Sequence, residues 1–431
     1  MAQETLEKFE GEKENNFKQT EIGSISEDWE VVRLGEVAEV KAGQSAPQGE
    51  KYFQNGKYPF IRVQHIDNND YKIMGWDLIN DMAVKDYHLK LFSKGTIVFP
   101  KSGAAVYLEK RAMLPFDAYI VSHLCAVNSK SEKLLQRFLF YFLVSQKLAK
   151  KKAEGYPTLN LSEVKEILIP LLPLSEQRKI ARVLDKIQQA IELQDRIIEQ
   201  AKNLKKSLMQ KLFTEGLYGE EQKEMEIGLI PKSWKVVRLG DIVTKTRQRD
   251  PKRMPYLKFK YVDVSSISNE LYKIIEFREF LGKNAPSRAR KEIKTGDIIF
   301  ATVRPYLKRI AIVPQELDGE LCSTAFCVLR CNKNFADHVF VFNYLLTDNF
   351  VERVSASQRG SSYPAVTDKD VLNQKIPLPS FEEQKQIAHI LSVVDRKIEV
   401  EQKRKQVLKE LFKTMLHKLM SGEIRLKEVE I

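Results

Sequence analysis

The side chains best equipped for chemistry in this sequence are cations and amides set in loops. From Lys245 to Lys260 the chain carries seven Lys or Arg against a single acid, Asp250, and Pro251 and Pro255 keep the stretch from being a helix. Lys245, Arg247, Gln248, Arg249 and Arg253 in such a loop suit two tasks: neutralising phosphates, and reading base edges through Arg or Gln. Arg288 and Arg290 form a second cluster, and Arg304 and Lys308 a third. The fourth is Arg359-Gly360-Ser361, whose small residues admit close approach of a phosphate. The first half of the chain offers Lys41 and Gln44, then Arg62, Gln64 and His65, then Lys101 and Ser102, and the run Lys150-Lys151-Lys152. Any one of these is an ordinary solvated surface. Together, at matching places in two halves, they point to double-stranded DNA as a partner. The balance of 70 Lys and Arg against 58 Asp and Glu, a net charge of +12, fits a polyanionic partner.

Catalytic signatures are scarce. The sequence has no phosphate-binding Gly-rich loop of the Walker type, no nucleophile elbow and no His-Glu-x-x-His zinc motif. The Asn/Asp-Pro-Pro-aromatic run used to methylate adenine or cytosine amino groups is missing too. Glu163-Val164-Lys165 resembles the end of a nuclease motif, but Asn160-x-x-Glu163 reads equally as a helix cap. Cys322, Cys327 and Cys331 lie close together without a Cys-x-x-Cys pair, so reduced thiols in or beside buried strands are expected, and no metal. His389 and His417 fall on long helices, where solvated or packing roles are the default. The N-terminus is polar and no apolar run reaches the ~18 residues of a membrane span. A cytoplasmic protein is therefore expected.

The elements that must position these loops come in two copies. Trp29-Glu30-Val31-Val32-Arg33-Leu34-Gly35 returns as Trp234-Lys235-Val236-Val237-Arg238-Leu239-Gly240, 205 residues on. Tyr156-Pro157 and Tyr363-Pro364 match at 207. A period this long means two similar domains and not a solenoid. Within each copy the patterning predicts a strand from Trp29 to Leu34, and strands over 58–63, 118–127, 261–264 and 321–329. Gly-led turns into buried strands are expected at Gly95 and Gly296, and helices over 134–150 and 336–353. Between the Arg33/Arg238 strand and the Gly95/Gly296 turn the copies share little, as expected of one scaffold with two binding specificities. Each domain is α+β.

Each copy then runs into a long stretch without Pro or Gly, Glu176 to Thr214 and Glu383 to Ser421. Apolar residues recur there at helical spacing: Ile180, Ile187, Leu204 and Leu208 in the first, Ile387, Val394, Leu411 and Met415 in the second. A second register adds Leu184, Ile191, Ile198 and Leu212, with Leu391, Ile398, Phe412 and Leu419. Each helix would span roughly 60 Å and exposes its stripe when alone. The other copy is its natural partner. Polar residues break the stripe at Gln194, Lys397, Glu401 and Arg404.

The pattern resembles the DNA-specificity subunits of type I restriction-modification systems. The resemblance is carried by Trp29, Arg33, Leu34 and Gly35 with their copies Trp234, Arg238, Leu239 and Gly240. It also rests on the helix openings Glu176, Gln177, Ile180, Ala181 and Glu383, Gln384, Ile387, Ala388. It implies two tandem target recognition domains, each followed by a long helix, the helices packed as an antiparallel coiled coil with pseudo-twofold symmetry. The implied boundaries are an arm over 1–21, a recognition domain over 22–172, a helix over 173–216, a second recognition domain over 217–379, a second helix over 380–422 and a tail over 423–431. Each domain would read one half of a split, asymmetric DNA site, with the helices as spacer. Two methyltransferase subunits and the restriction (translocase and nuclease) subunits would be partners. S-adenosylmethionine, ATP and Mg would be held by them, with no cofactor and no catalytic site on this chain. Other readings are a nuclease or methyltransferase with a degenerate motif, a helical scaffold, and a specificity subunit of a related system without a separate restriction subunit.

Overall fold

The computed structural model describes residues 17–67, 70–148, 157–360 and 364–426. Ser361, the run Lys150–Lys152 and most of the N-terminal arm lie outside them. The chain divides into two compact units: the first takes in the chain up to Leu193 and resumes at Arg404, and the second is Gln194–Lys403. Each therefore holds one α+β domain and parts of two long helices, Leu174–Glu215 and Phe381–Ser421.

In the first unit, strands Ala38–Ala42, Leu124–Ser129, Ile97–Pro100 and Ala112–Met113 form an antiparallel sheet in that order. A second sheet sets Tyr58–Ile61 between the antiparallel Asp77–Ile79 and the parallel Tyr119–Ile120. The second unit repeats both. Val243–Thr244, Phe326–Cys331, Ile298–Ala301 and Ile310–Ile312 make one sheet, and Lys258–Val262 again lies between an antiparallel and a parallel neighbour in the other. The expected strands 118–127 and 321–329 are each two strands, separated by a turn at 121–123 and 324–325, because the chain crosses there from one sheet to the other. Strands expected at 58–63 and 261–264 stop early and enter tight 3-10 turns, Val63–His65 and Val264–Ser266. The helix expected over 134–150 is Gln136–Ser145. That over 336–353 is broken in two, His338–Leu345 and Asp348–Ser355, where the Thr347 side chain caps the second piece by accepting from the Phe350 N–H at 3.3 Å.

The repeated Trp opening is a strand, Glu30–Arg33, paired antiparallel with Leu168–Leu171; Lys235–Arg238 pairs likewise with Lys375–Leu378. Trp29 and Trp234 are fully buried just before it. Each long helix ends at a glycine with positive φ, Gly216 and Gly422, as a left-handed C-cap requires. A Cβ on Gly422 would lie 3.1 Å from the Trp29 ring, and one on Gly216 would lie 3.1 Å from Pro231 and 3.2 Å from the Glu383 carboxylate, so packing also limits the residue that ends each helix.

Within each unit the two helix segments run antiparallel. In the first, Glu176 near the start of one helix binds Arg425 just past the end of the other; in the second, Lys205 pairs with Asp395. The seam uses both sequence registers at once. Leu184, Ile191, Ile198 and Leu212 are buried, as are Leu391, Phe412 and Leu419, and Ile180, Ile387 and Met415 interleave with them. Ile187 and Leu208 pack at its edge, and Val394 is half-buried. Leu204 and Leu411, expected in the stripe, are 53% and 37% exposed. They sit one residue before seam positions Lys205 and Phe412, which rotates them by about 100° out of the contact.

The Glu-Gln pair that opens each helix is a clamp. The Gln177 side chain accepts from the Leu135 N–H at 2.8 Å and donates to the Lys133 and Leu172 carbonyls at 2.7 and 2.8 Å. Gln384 accepts from the Asp337 N–H at 2.9 Å and donates to the Phe335 and Pro379 carbonyls at 3.0 and 3.1 Å. Both glutamines are buried, and the bonds from Gln177 to the Leu172 carbonyl and from Gln384 to the Pro379 carbonyl are buried with them. Glu383 accepts from the Trp234 indole N–H at 3.0 Å. In the first unit Glu176 instead takes the Arg425 guanidinium, which lies over the Trp29 ring.

Gln384→Leu keeps the size and removes the clamp, taking away the side-chain partner of one backbone N–H and two carbonyls, that of Pro379 in a buried bond. It should lower unfolding stability by about 2–4 kcal/mol in urea titration, while Gln210→Leu, at an exposed helix position, should stay within about 0.5 kcal/mol of the parent.

Candidate nucleic-acid interface

In the first unit the candidate residues converge on the turn that links the two sheets. Gly43 donates from its backbone N–H to the Leu124 carbonyl and Gln44 to that of Ile120, and the Ser122 N–H donates back to the Gln44 carbonyl at 2.7 Å. The Val121 N–H bonds the Ile61 carbonyl, which brings Arg62 alongside. The Lys101 N–H bonds the His123 carbonyl, and Ser102 Oγ lies 2.6 Å from His123 Nδ1. Residues far apart in sequence thus ring Val121–Leu124 through backbone bonds.

Not all of these side chains are open to a ligand. Arg62 is engaged by Asp77 and lies over the Phe53 and Phe60 rings. His65 accepts from the Arg62 N–H through Nδ1 at 3.0 Å, leaving Nε2 to carry the proton 3.8 Å from Asp77. Burial pushes the His65 pKa below its usual value, Arg62 lowers it further, and Asp77 opposes both. His65 therefore holds the turn in its neutral form. The Gln44 side chain accepts from the Lys90 N–H, and Lys41 is exposed beside Glu39. Gln64 is exposed on the 3-10 turn.

The second unit gathers its clusters the same way. The 245–249 segment runs beside the second cluster: Gln248 bridges to Lys291, the Arg249 N–H bonds the Arg290 carbonyl, and the Glu292 N–H bonds that of Arg247. The Arg288 carbonyl accepts from the Thr324 N–H, at the turn equivalent to that of His123. Thr302 bonds Ala325 in the same turn. Arg304 then donates from its N–H to Pro364, and Arg359 pairs with Ala365, so the third and fourth clusters adjoin. Lys245, Arg247, Gln248, Arg253, Arg288, Arg304 and Arg359 are exposed. Three candidates are committed internally. Arg249 bonds the Gly319 carbonyl and stacks over Phe259, Arg290 pairs with Asp250, and Lys308 bonds Asp348 and the Leu346 carbonyl. Arg304 and Lys308 both have φ 49°, an uncommon left-handed conformation for such residues, and they flank the turn Pro305–Leu307.

Other site readings resolve simply. Glu163 caps a helix by accepting from the Asn160 N–H at 2.7 Å. Cys125, Cys322 and Cys327 are buried thiols; burial pushes those of Cys125 and Cys327 up to about 12. Among the described residues no group of three or more His, Cys, Asp or Glu is placed to hold a metal ion. None of the described helices is long and apolar enough to cross a membrane.

The duplicated plan has counterparts. The model of the type I restriction modification DNA specificity domain matches residues 26–203 and again 231–410. The chain belongs to the type I restriction-modification DNA specificity family. The specificity subunit of the type I restriction enzyme MjaVIII, from Methanocaldococcus jannaschii, is 27% identical over 431 residues, covering 97% of this chain and 98% of its own. That of the EcoDI enzyme of Escherichia coli is 23% identical over 395 residues, 85% and 81% of the two chains. The crystal structure of a type I system S subunit from M. genitalium shares the fold, with a TM-score of 0.55 and 19% identity over 95% of this chain and 97% of the other.

In this specificity-family chain, sequence reasoning missed His123 and Thr324, the exposed residues at the two sheet-linking turns. They are not equivalent positions, since the Lys101–His123 backbone bond is matched by Thr302–Ala325, and each sits inside what reads as one continuous strand. It also missed a shared segment in the middle of the two specificity domains. Tyr71-Lys72-Ile73 corresponds to Tyr272-Lys273-Ile274, 201 residues on, a short match inside a region that otherwise has little in common.

The unfolded chain protonates His65 near its ordinary value of about 6.5, and the folded chain only at lower pH. Stability from this site is therefore complete above about pH 6.5 and is lost as pH falls through the lowered folded value. Urea midpoints taken from about pH 7.5 to about pH 5 should fall more for the parent than for His65→Gln, which keeps an acceptor for Arg62 and does not titrate.

Proposed function

We propose that this chain is the DNA-reading subunit of a type I restriction-modification complex, each recognition domain reading one half of a bipartite, asymmetric site. The observation that carries this is the repeated convergence, in two units of divergent sequence, of separate cationic and amide segments on the same sheet-linking turn. Exposed cations supply phosphate contacts common to all sequences, and Gln64, Gln248 and the exposed arginines supply base readout worth ~1–3 kcal/mol for each good contact. The specificity subunits that this chain resembles support the assignment.

The helices act in this reading as the spacer between half-sites. Gln194 and Glu401 hold the same place in the two helix copies, 207 residues apart, and they bond each other at 2.5 Å in a buried site. Tandem duplication supports an inverted presentation of two readers to two half-sites. Leu193 and Val400 correspond in the same way, as do Leu204 and Leu411, and all four are exposed apolar residues on the helices. They suit docking of two methyltransferase subunits, one for each copy. Methyl transfer from S-adenosylmethionine and the ATP- and Mg-dependent steps belong to those subunits and to the restriction subunits. This chain recognises DNA in the cytoplasm and does not catalyse.

The decisive experiment exchanges residues of about 22–155 for the corresponding domain of another specificity subunit and maps N6-methyladenine across DNA modified by the complex. One half of the recognised site should change and the other persist; a change in both halves would sink the reading. Arg247→Ala and Arg253→Ala should each weaken binding to all sequences and reduce the slope of log affinity against log salt by about 1, whereas Gln248→Ala should relax base preference at one position.

A further inference from the structure

The segment shared by the two domains joins the reading turn of each to its helices. Each copy opens with a 3-10 turn, Val63–His65 and Val264–Ser266. Each then closes as a short hairpin, with Ile66 paired to Ile73 and Ile267 to Ile274. The hairpins are pinned by matching backbone bonds, Met74 N–H to the His65 carbonyl at 2.7 Å and Ile275 N–H to the Ser266 carbonyl at 2.9 Å. At each tip stands a tyrosine with positive φ, 57° at Tyr71 and 52° at Tyr272. A bulky residue is rarely found there, and the lysine that follows reaches a long helix in each unit.

Those lysines meet the same partner. Lys72 Nζ lies 3.1 Å from Glu192 on the first long helix, and Lys273 is engaged by Glu399 on the second. Glu192 and Glu399 are 207 residues apart, whereas the two lysines are 201 apart. The contact has thus been kept although the chain between hairpin and helix differs in length. Tyr71 packs against Phe140 and Phe412 with ring centroids 6.5 and 5.9 Å away, and Tyr272 is half-buried against the core of its own unit. In the first unit Asp70 adds an ion pair to Lys409 at 2.9 Å. At its other end the hairpin is continuous with the 3-10 turn of Gln64 and His65, beside the sheet-linking turn. In the second unit Arg309 holds that 3-10 turn through the Val264 and Ile267 carbonyls. An aromatic ring supplies a stop and a lysine–glutamate pair supplies direction. Together they constrain tilt more than they add stability, since the Lys72–Glu192 pair stays about one-third exposed.

We propose that the Tyr71-Lys72 and Tyr272-Lys273 tips are positioning elements that set the angle of each recognition domain on its own helices, and so the gap between DNA half-sites that the protein accepts. This rests on the bipartite reading proposed above. The test selects bound DNA from a pool of random-sequence duplexes, using the full chain with its methyltransferase partners, and reads both half-sites and the gap by sequencing. The parent should return two half-sites at one gap length. Lys72→Glu should spread the gap over at least two lengths with both half-site sequences intact, and adding Glu192→Lys should restore the single gap; Lys273→Glu with Glu399→Lys should behave alike. Lys72→Met, which drops the charge without reversing it, keeps the measurement possible if the reversal impairs folding. A parent without a bipartite site would overturn both this proposal and the reading beneath it. A bipartite parent whose gap is unmoved in Lys72→Glu and Lys72→Met overturns the positioning role alone, as does loss of the first half-site sequence in either.

Discussion

Each unit depends on one buried glutamine. Gln177 and Gln384 stand at the start of a long helix, where backbone N–H groups need partners, yet their side chains turn outward from the helix to grip three backbone groups of the adjoining domain. The grip fixes the loop ahead of helix Gln136–Ser145 in one unit and ahead of His338–Leu345 in the other. Those helices carry Phe138 and Phe340 into the cores beneath Trp29 and Trp234. A glutamate would introduce a buried charge, and a leucine would leave the groups unpaired. An amide alone offers both a donor pair and an acceptor at this point.

The neighbouring glutamates show how one motif tolerates two solutions. Glu383 satisfies the Trp234 indole N–H, whereas the Trp29 indole N–H has no hydrogen-bond partner among the described residues and Glu176 is neutralised by Arg425. Arg425 also binds Asp28, so the end of the described chain is tied back to the beginning of its unit by charge-assisted bonds. The helix seam is likewise polar at one place. Glu401 is buried and held by Gln194 and Lys397, an arrangement that costs desolvation but penalises any slip of the helices that would leave the carboxylate unpaired.

Much of this was legible in the sequence because duplication doubles every signal. The Trp opening, the capping box at Asn160 and Glu163, and the two helices were readable since each depends on spacing within a few residues. The candidate interface was legible only as a set of basic clusters. Their meeting at one turn depends on sheet pairings between segments far apart, such as Gln248 with Lys291 and Ser102 with Thr158. Lys308, Arg249 and Arg62 read as DNA contacts because a cation in a loop looks the same whether it faces solvent or a carbonyl.

By itself the sequence determined the twofold repeat, the α+β character of the domains and the helix lengths, because periodicity and Gly and Pro placement are local properties. Only the tertiary structure decided which half of each apolar stripe is seam and which is surface. A rotation of one residue separates Leu204 from Lys205, and the helix partner alone chooses between them. It also decided which cations remain exposed, and that Tyr71, Lys72 and Lys273 reach the helices at all. Contacts between residues more than a hundred positions apart are set by packing, and no spacing in the chain encodes them.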